Sequence, residues 1–324
     1  MENTAEHVQS LGMRIDATAR RIRDRVLETP LVRAPWLDGP ECRVFLKLEN
    51  FQHTGSFKVR GAASYLAANR ASIGSSVVTA STGNHGAAVA FAAAANGVKA
   101  RIFVPQTAST AKFNAIRRLG ATIVEEGNDA LESERAARDY AEAGGYPYIS
   151  PYNDEDVVCG QGTIAVEIVA SLPSVQSIVV AVGGGGLAGG IAAYLHAVRP
   201  DAGVLGASPS ASAVMARSIS AGYIVDERSR PTLSDATAGG IEPGAITFPL
   251  CRDLLVGVRL AEESEIAAGM RDLILEQRVV GEGAAGCAIA GYRSAMNELR
   301  GDTVIVVCGG NASRETLAGI MRTD

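Results

Sequence analysis

Short runs rich in β-branched residues alternate along the chain with longer alanine-rich segments whose apolar positions fall three and four apart. Continuous apolar runs read as buried strands and the 3.6-residue period reads as helix, so the alternation predicts parallel sheet with helices on both faces. Strands are predicted over residues 44–48, 76–80, 101–104, 122–125, 177–182, 203–207 and 303–307. Helices are predicted to begin at Asn84, Ala111, Ala130, Gly186, Ala213 and Ser313, and a further one near Lys58. Two amphipathic stretches with charges between their apolar positions, residues 16–27 and 262–277, are predicted as outer helices. Residues 226–244, rich in Pro, Gly, Ser and Thr, predict one long loop, and loops of that length are often functional. The fold class is α/β.

Length and composition narrow the picture. A chain of 324 residues exceeds what one small core serves, so two lobes or one large α/β unit are expected. With 47% hydrophobic and 20% charged residues, disorder is disfavoured. Thirty-five acidic against 30 basic side chains leave a net charge of -5 and no average attraction for a polyanion, which argues against nucleic acid as partner. The start, MENTAEHVQSLGMRIDATAR, lacks the basic and apolar regions of a signal peptide, and no later stretch reads as a membrane span, so a cytoplasmic protein without membrane contact is expected. Cys42, Cys159, Cys251, Cys287 and Cys308 are odd in number and contain no CxxC pair, which suggests reduced core thiols, with neither disulfides nor zinc.

Three loops fall where a predicted strand ends and a helix begins, the edge at which open parallel sheets bind ligands: STGNHG, GGGGLAGG and CGGNAS. In GGGGLAGG, residues 183–190, consecutive glycines let backbone amides converge on an anion at a helix N-terminus, so a phosphate is the expected ligand. The run contains GxGxxG at Gly184, Gly186 and Gly189, yet the next strand ends in Ala207, Ser208 and Pro209 without the acid that a dinucleotide's ribose needs. No GK[ST] follows, which disfavours a P-loop. A cofactor carrying a phosphate and an aldehyde would use both a glycine cradle and one amine, and Lys58 in HTGSFKVRGA offers the amine.

TGSFKVRGA at 54–62, STGNHG at 81–86, GGGGL at 183–187 and CGGN at 308–311 resemble, in order and spacing, the fold type II pyridoxal-phosphate enzymes of the serine/threonine dehydratase (ammonia-lyase) and serine racemase branch. The resemblance runs from about Thr29 to Leu317. It implies a two-domain fold like tryptophan synthase β: a large cofactor-binding domain from residues 1–69 and 152–324, with a small domain, 70–151, inserted. Pyridoxal 5'-phosphate is the implied cofactor, held by Lys58 as a Schiff base with Phe57 packed on the ring and Asn84 on the ring hydroxyl. Gly183, Gly184, Gly185, Gly186 and Leu187 would cradle the phosphate, Gly240 would lie against the cofactor, and Cys308 would give the ring nitrogen a neutral partner. Ser81, Thr82, Gly83, Asn84 and His85 resemble the loop that grips the substrate carboxylate.

The implied reaction is loss of water from a β-hydroxy amino acid to give a 2-oxo acid and ammonia, with Lys58 removing the α-proton. The implied partner is that amino acid, and because the family is commonly dimeric a homodimer is expected. Racemisation is the rival: Thr82 occupies the place where racemases of the group carry a serine hydroxyl, although Thr82 also suits a plain helix cap. Arg60 reads as a structural ion-pair or capping residue more than a substrate-anion binder. Glu282 in GEGAAG matches an acidic position near the ring and equally suits a helix N-terminus.

Departures from the pattern limit the resemblance. Ser208 and Val214 stand where relatives that bind a divalent cation carry acids, so no metal is expected. The chain stops at Asp324, so the regulatory domain of biosynthetic threonine dehydratases is not expected. Val59 replaces the aspartate of threonine synthases, and TAGGIEPGAITFPLC at 237–251 differs from the usual ADG-type loop. That difference leaves room for an uncommon substrate such as threo-3-hydroxyaspartate, or one of the ectoine-utilisation type. A catalytically silent cofactor-binding homologue and a dinucleotide-dependent oxidoreductase are the readings from other classes.

Overall fold

The computed structural model describes residues 2–108 and 110–322. Strands β1 (Leu31–Arg33), β2 (Cys42–Leu48), β3 (Ser76–Ala80), β4 (Lys99–Val104), β5 (Thr122–Glu125), β6 (Val175–Ala181), β7 (Gly203–Pro209), β8 (Leu255–Ala261) and β9 (Gly301–Val307) follow in chain order. They build a six-stranded sheet, β1-β2-β9-β6-β7-β8, and a three-stranded sheet, β3-β4-β5. The last strand, β9, lies between β2 and β6, and its residues 302–307 are buried, with the apolar run 304–307 suited to a sheet covered on both faces. This order sets the carboxyl ends of β2, β9 and β6 side by side, and those ends lead into the Lys58 turn, the CGGN loop and the glycine run.

Helices Gly283–Ala295 and Gly186–Val198 pack on the large sheet, and helix Glu2–Ile22 lies on Gly186–Val198 and Glu155–Ser171. Helix Lys58–Ala68 packs on both Asn84–Ala95 and Glu155–Ser171, which joins the two sheets through one side-by-side helix layer. The small sheet has its own core, from Val77, Ile102 and Val104 on one face to Val78 and Phe103 on the other.

Four expectations are corrected. The sheets are not purely parallel, because β1 runs antiparallel to β2: the short link through the 3-10 turn Pro35–Leu37 has no room for a crossover. β1 and β8 were not among the predicted strands; both are edge strands, β1 only three residues long and β8 broken in pattern by Gly257 and Arg259. The helix expected over residues 16–27 starts earlier and stops at Ile22. It cannot continue to Leu27 because Gln52 takes that residue's N–H at 2.9 Å and its carbonyl at 2.7 Å. Helices Glu155–Ser171, Thr247–Leu254 and Gly283–Ala295 were not among the predicted ones; the first and last show no apolar stripe because they are buried over most of their surface, and the second is only eight residues long. Residues 226–244 do form a long loop, interrupted only by the 3-10 turn Asp235–Thr237. Among the described residues no helix is long and apolar enough to cross a membrane.

Candidate active site

After β2 the chain makes two 3-10 turns, Glu49–Phe51 and His53–Gly55, before helix Lys58–Ala68 begins. The turn is clamped to the CGGN loop: Phe57 N–H donates to Cys308 O and Gly310 N–H to Gly55 O, each at 3.0 Å. Within it Thr54 adopts φ 63 and ψ 10, left-handed backbone that a β-branched residue tolerates only when its surroundings impose it. The Thr54 hydroxyl is buried without a hydrogen-bond partner. Lys58 Nζ donates to Pro151 O at 2.9 Å and stands 5.2 Å from the centre of the Phe57 ring. Burial lowers the pKa of this amine to about 8, against the opposing pull of Cys308 and Glu282.

The glycine run follows β6 and leads into helix Gly186–Val198. Gly185 takes φ 87 at the helix cap, and a Cβ on Gly184 would lie 2.4 Å from the Tyr152 ring, so the loop must be bare backbone here. Thr247 Oγ1 donates to Gly184 O at 2.6 Å and Cys251 Sγ to Gly185 O at 3.7 Å. With the carbonyls thus held back, the N–H groups of Gly184–Ala188 have no partner among the described residues and suit a tetrahedral anion at the helix start. The phosphate of the implied cofactor fits this cradle.

The STGNHG loop follows β3. The cap of helix Asn84–Ala95 is Gly83, and no side chain caps it, so the helix-cap reading of Thr82 is set aside. Ser81 Oγ accepts from Gly83 N–H at 3.2 Å. His85 Nε2–H donates to Ile149 O at 2.9 Å, which leaves Nδ1 a buried acceptor without partner. Burial first, and the Lys58 charge second, lower the His85 pKa to about 3, so the ring is neutral near pH 7.

Glu282 begins helix Gly283–Ala295 but its carboxylate does not cap it. Instead it accepts from Asn84 Nδ2 at 2.8 and 3.0 Å and from Asn311 N–H at 3.2 Å. Burial raises its pKa, Asp235 adds to that, and Asn84, Asn311 and Lys58 oppose it. Cys308 is buried, and burial followed by the Glu282 charge raises its pKa well above the usual thiol range, so it is a neutral thiol.

One cleft of about 2060 Å³ is lined by every site residue expected from the sequence: Phe57, Lys58, Ser81 to His85, Gly183 to Leu187, Gly240 and Cys308. It is also lined by Thr54, Tyr152, Glu242, Glu282 and Asn311. Of these, Asn311 was visible in CGGN without a role, whereas the Thr54 strain and the Tyr152 wall have no sequence signal. Glu242 pairs with Arg138 of helix Ala130–Gly144 at 2.8 Å and accepts from Asn153 at 2.9 Å, so the long loop is tied to a helix that packs on the small sheet. Arg60 lies away from the cleft, buried between Glu49 (2.8 Å) and Glu167 (2.6 Å), which fixes it as a structural ion pair. Ser208 is buried with its hydroxyl on Val182 O at 3.0 Å, and Val214 is buried among apolar side chains. Among the described residues no group of three or more His, Cys, Asp or Glu is arranged to hold a metal.

The family described as pyridoxal-phosphate dependent enzyme matches residues 22–309. An L-threonine ammonia-lyase of Geobacter sulfurreducens is 35% identical over 304 residues, 93% of this chain and 75% of that protein. Among solved structures, the processed form of threonine deaminase isoform 2 from Solanum lycopersicum superposes with a TM-score of 0.91 at 30% identity, over 98% of this chain and 88% of that one. Maize serine racemase superposes with a TM-score of 0.88, also at 30% identity, over 95% of each chain.

Proposed function

Because the chain belongs to the pyridoxal-phosphate dependent enzyme family, we propose that it is a dehydratase (ammonia-lyase) that converts a β-hydroxy amino acid of the threonine/serine type to a 2-oxo acid and ammonia. The observation that carries this reading is a lysine amine with its pKa lowered to about 8 in the same cleft as a glycine loop whose backbone amides are free. Pyridoxal phosphate, when bound, supplies an aldehyde that joins the substrate amine and a ring that draws off the electron pair left at Cα.

The protein's own groups do the rest. Lys58 would hold the cofactor, and its free amine would take the proton from the substrate Cα. At pH 7 roughly a tenth of an amine with that pKa is neutral, against fewer than about one in a thousand for an ordinary lysine. The amides of Gly184–Ala188 would hold the phosphate, and the Cys308 thiol, kept neutral by burial, would offer the ring nitrogen an uncharged partner. An uncharged partner such as Cys308, in place of a carboxylate, would suit elimination of a β-substituent. Ser81 to His85 position the substrate carboxylate at the start of a helix, whose dipole favours an anion.

Racemisation is kept as the second reading because the Thr82 hydroxyl makes no hydrogen bond among the described residues and lines the cleft. The loop carrying Gly240 and Glu242 would shape the pocket for the substrate side chain, which leaves threo-3-hydroxyaspartate among the candidates. We take residues 1–69 and 152–324 as the large domain, 70–151 as the small one, and the active form as a cytoplasmic homodimer, its subunit count open to light scattering. The deciding experiment measures the visible absorbance of cofactor-loaded protein and 2-oxo acid release from L-serine, L-threonine and L-threo-3-hydroxyaspartate. Lys58→Ala is expected to remove the absorbance band and turnover together; activity retained in a clean preparation of that variant would sink the assignment.

A further inference from the structure

Four groups in the cleft form a chain of hydrogen bonds whose direction has one consistent setting. The Thr54 carbonyl can only accept, so Asn311 must face it with Nδ2, at 2.8 Å. The same Nδ2 stands 2.7 Å from the Asn84 amide, which therefore presents Oδ1. Asn84 Nδ2 then points the other way, to both oxygens of Glu282 at 2.8 and 3.0 Å. The choice between amide oxygen and nitrogen is a matter of network consistency, and here the carbonyl end decides it.

Asn311 is itself strongly held. Its backbone N–H donates to Glu282 at 3.2 Å, and its Oδ1 lies where a Cβ on Gly55 would come within 2.6 Å. Thr54 is one of only two non-glycine residues with positive φ among the described residues, and that backbone carries the carbonyl that Asn311 meets. Strain of roughly 1–3 kcal/mol at such a position persists only when neighbours impose it.

We propose that Asn311 is a positioning residue that locks the orientation of the Asn84 amide, so that its hydrogens face the Glu282 side of the cleft whether Glu282 is charged or neutral. The inference rests on reading this cleft as the cofactor site, where Asn84 would donate to the ring hydroxyl. A Glu282 carboxylate orients Asn84 unaided. A protonated Glu282 can instead donate to Asn84 Oδ1, and then only the Asn311 Nδ2, fixed on Thr54, forbids the amide to turn over. The groups around Glu282 are Lys58, Asp235 and Cys308 besides the two asparagines, and burial brings the carboxyl closer to neutrality than a free one.

The test compares the parent with Asn311→Asp, which keeps the shape and loses the donor, and Asn311→Leu, which loses all polarity. In cofactor-free protein, the Asn84 side-chain amide resonances are followed by NMR from about pH 8 to about pH 5; in loaded protein, pyridoxal-phosphate affinity is followed by absorbance over the same range. In the parent the Asn84 amide hydrogens should keep their NOE contacts on the Glu282 side at every pH. In Asn311→Leu those contacts should be lost as pH falls, with a loss of affinity relative to the parent of up to about tenfold at the acid end, the worth of one hydrogen bond. Asn311→Asp should lose comparable affinity already near pH 7. NOE contacts and affinity that follow the same pH course in parent and Asn311→Leu would overturn the inference. A parent that binds no cofactor while its Asn84 contacts behave as expected would overturn the functional reading and leave the locking role standing.

Discussion

His85 illustrates how much a single residue's environment decides. Its motif position, STGNHG, put it at the mouth of a ligand site, but only the fold makes it a buried neutral ring bonded to Ile149 O. Its folded pKa of about 3 lies below the ordinary value of 6.5. As pH falls through about 6.5 the unfolded chain takes up a proton that the folded one refuses until about 3, so the native state loses stability across that window. His85→Gln keeps a donor for Ile149 and removes the titration. Its urea midpoint should therefore fall less than the parent's between about pH 7 and about pH 5; parallel losses in the two proteins would contradict the burial argument. At this scale Lys58 was legible because its motif is local. Thr54 was not, since no residue type announces left-handed backbone at a threonine, and the side chain that meets its carbonyl, Asn311, lies 257 positions away.

At the scale of elements, the glycine cradle depends on close approaches from three directions: Tyr152 on Gly184, and Met215 and Cys251 on Gly185. Gly185→Ala combines φ 87 with a Cβ only 2.8 Å from Cys251 Sγ. It should destabilise the protein by about 1–3 kcal/mol and weaken cofactor binding at least about tenfold. Denaturant unfolding and an absorbance titration would measure the two effects, and an unchanged affinity would argue that the amides of this loop do not hold the phosphate. The strands that lead into the site were legible because β6 and β9 each end in an uninterrupted apolar run. β1 and β8 were not, because edge strands are half exposed and lose the pattern that burial on both faces creates.

At the scale of the molecule, a buried network of Lys47, Glu49, Arg60 and Glu167 ties β2, helix Lys58–Ala68 and helix Glu155–Ser171 to the segment carrying Leu27 and Thr29. Burial works against the Arg60 charge, but Glu49 and Glu167 raise its pKa; burial likewise works against Glu167, which Arg60 and Lys47 nevertheless hold below the usual carboxylate range. Arg60→Leu would strand two buried carboxylates. It should lower stability by about 3–5 kcal/mol in a denaturant melt, and a loss under about 1 kcal/mol would mean that water or rearrangement compensates.

By itself the sequence determined the α/β class, the motifs at the strand ends and the cofactor they imply, because strand periodicity, consecutive glycines and a lysine within a small-residue stretch are local signals. Tertiary structure alone decided that β9 sits between β2 and β6, which brings Cys308 and Asn311 against the Lys58 turn. It also decided that Glu282 turns from its helix end into the cleft. These outcomes depend on which distant groups are desolvated together, and desolvation strengthens a charge or hydrogen bond only once the chain has closed around it.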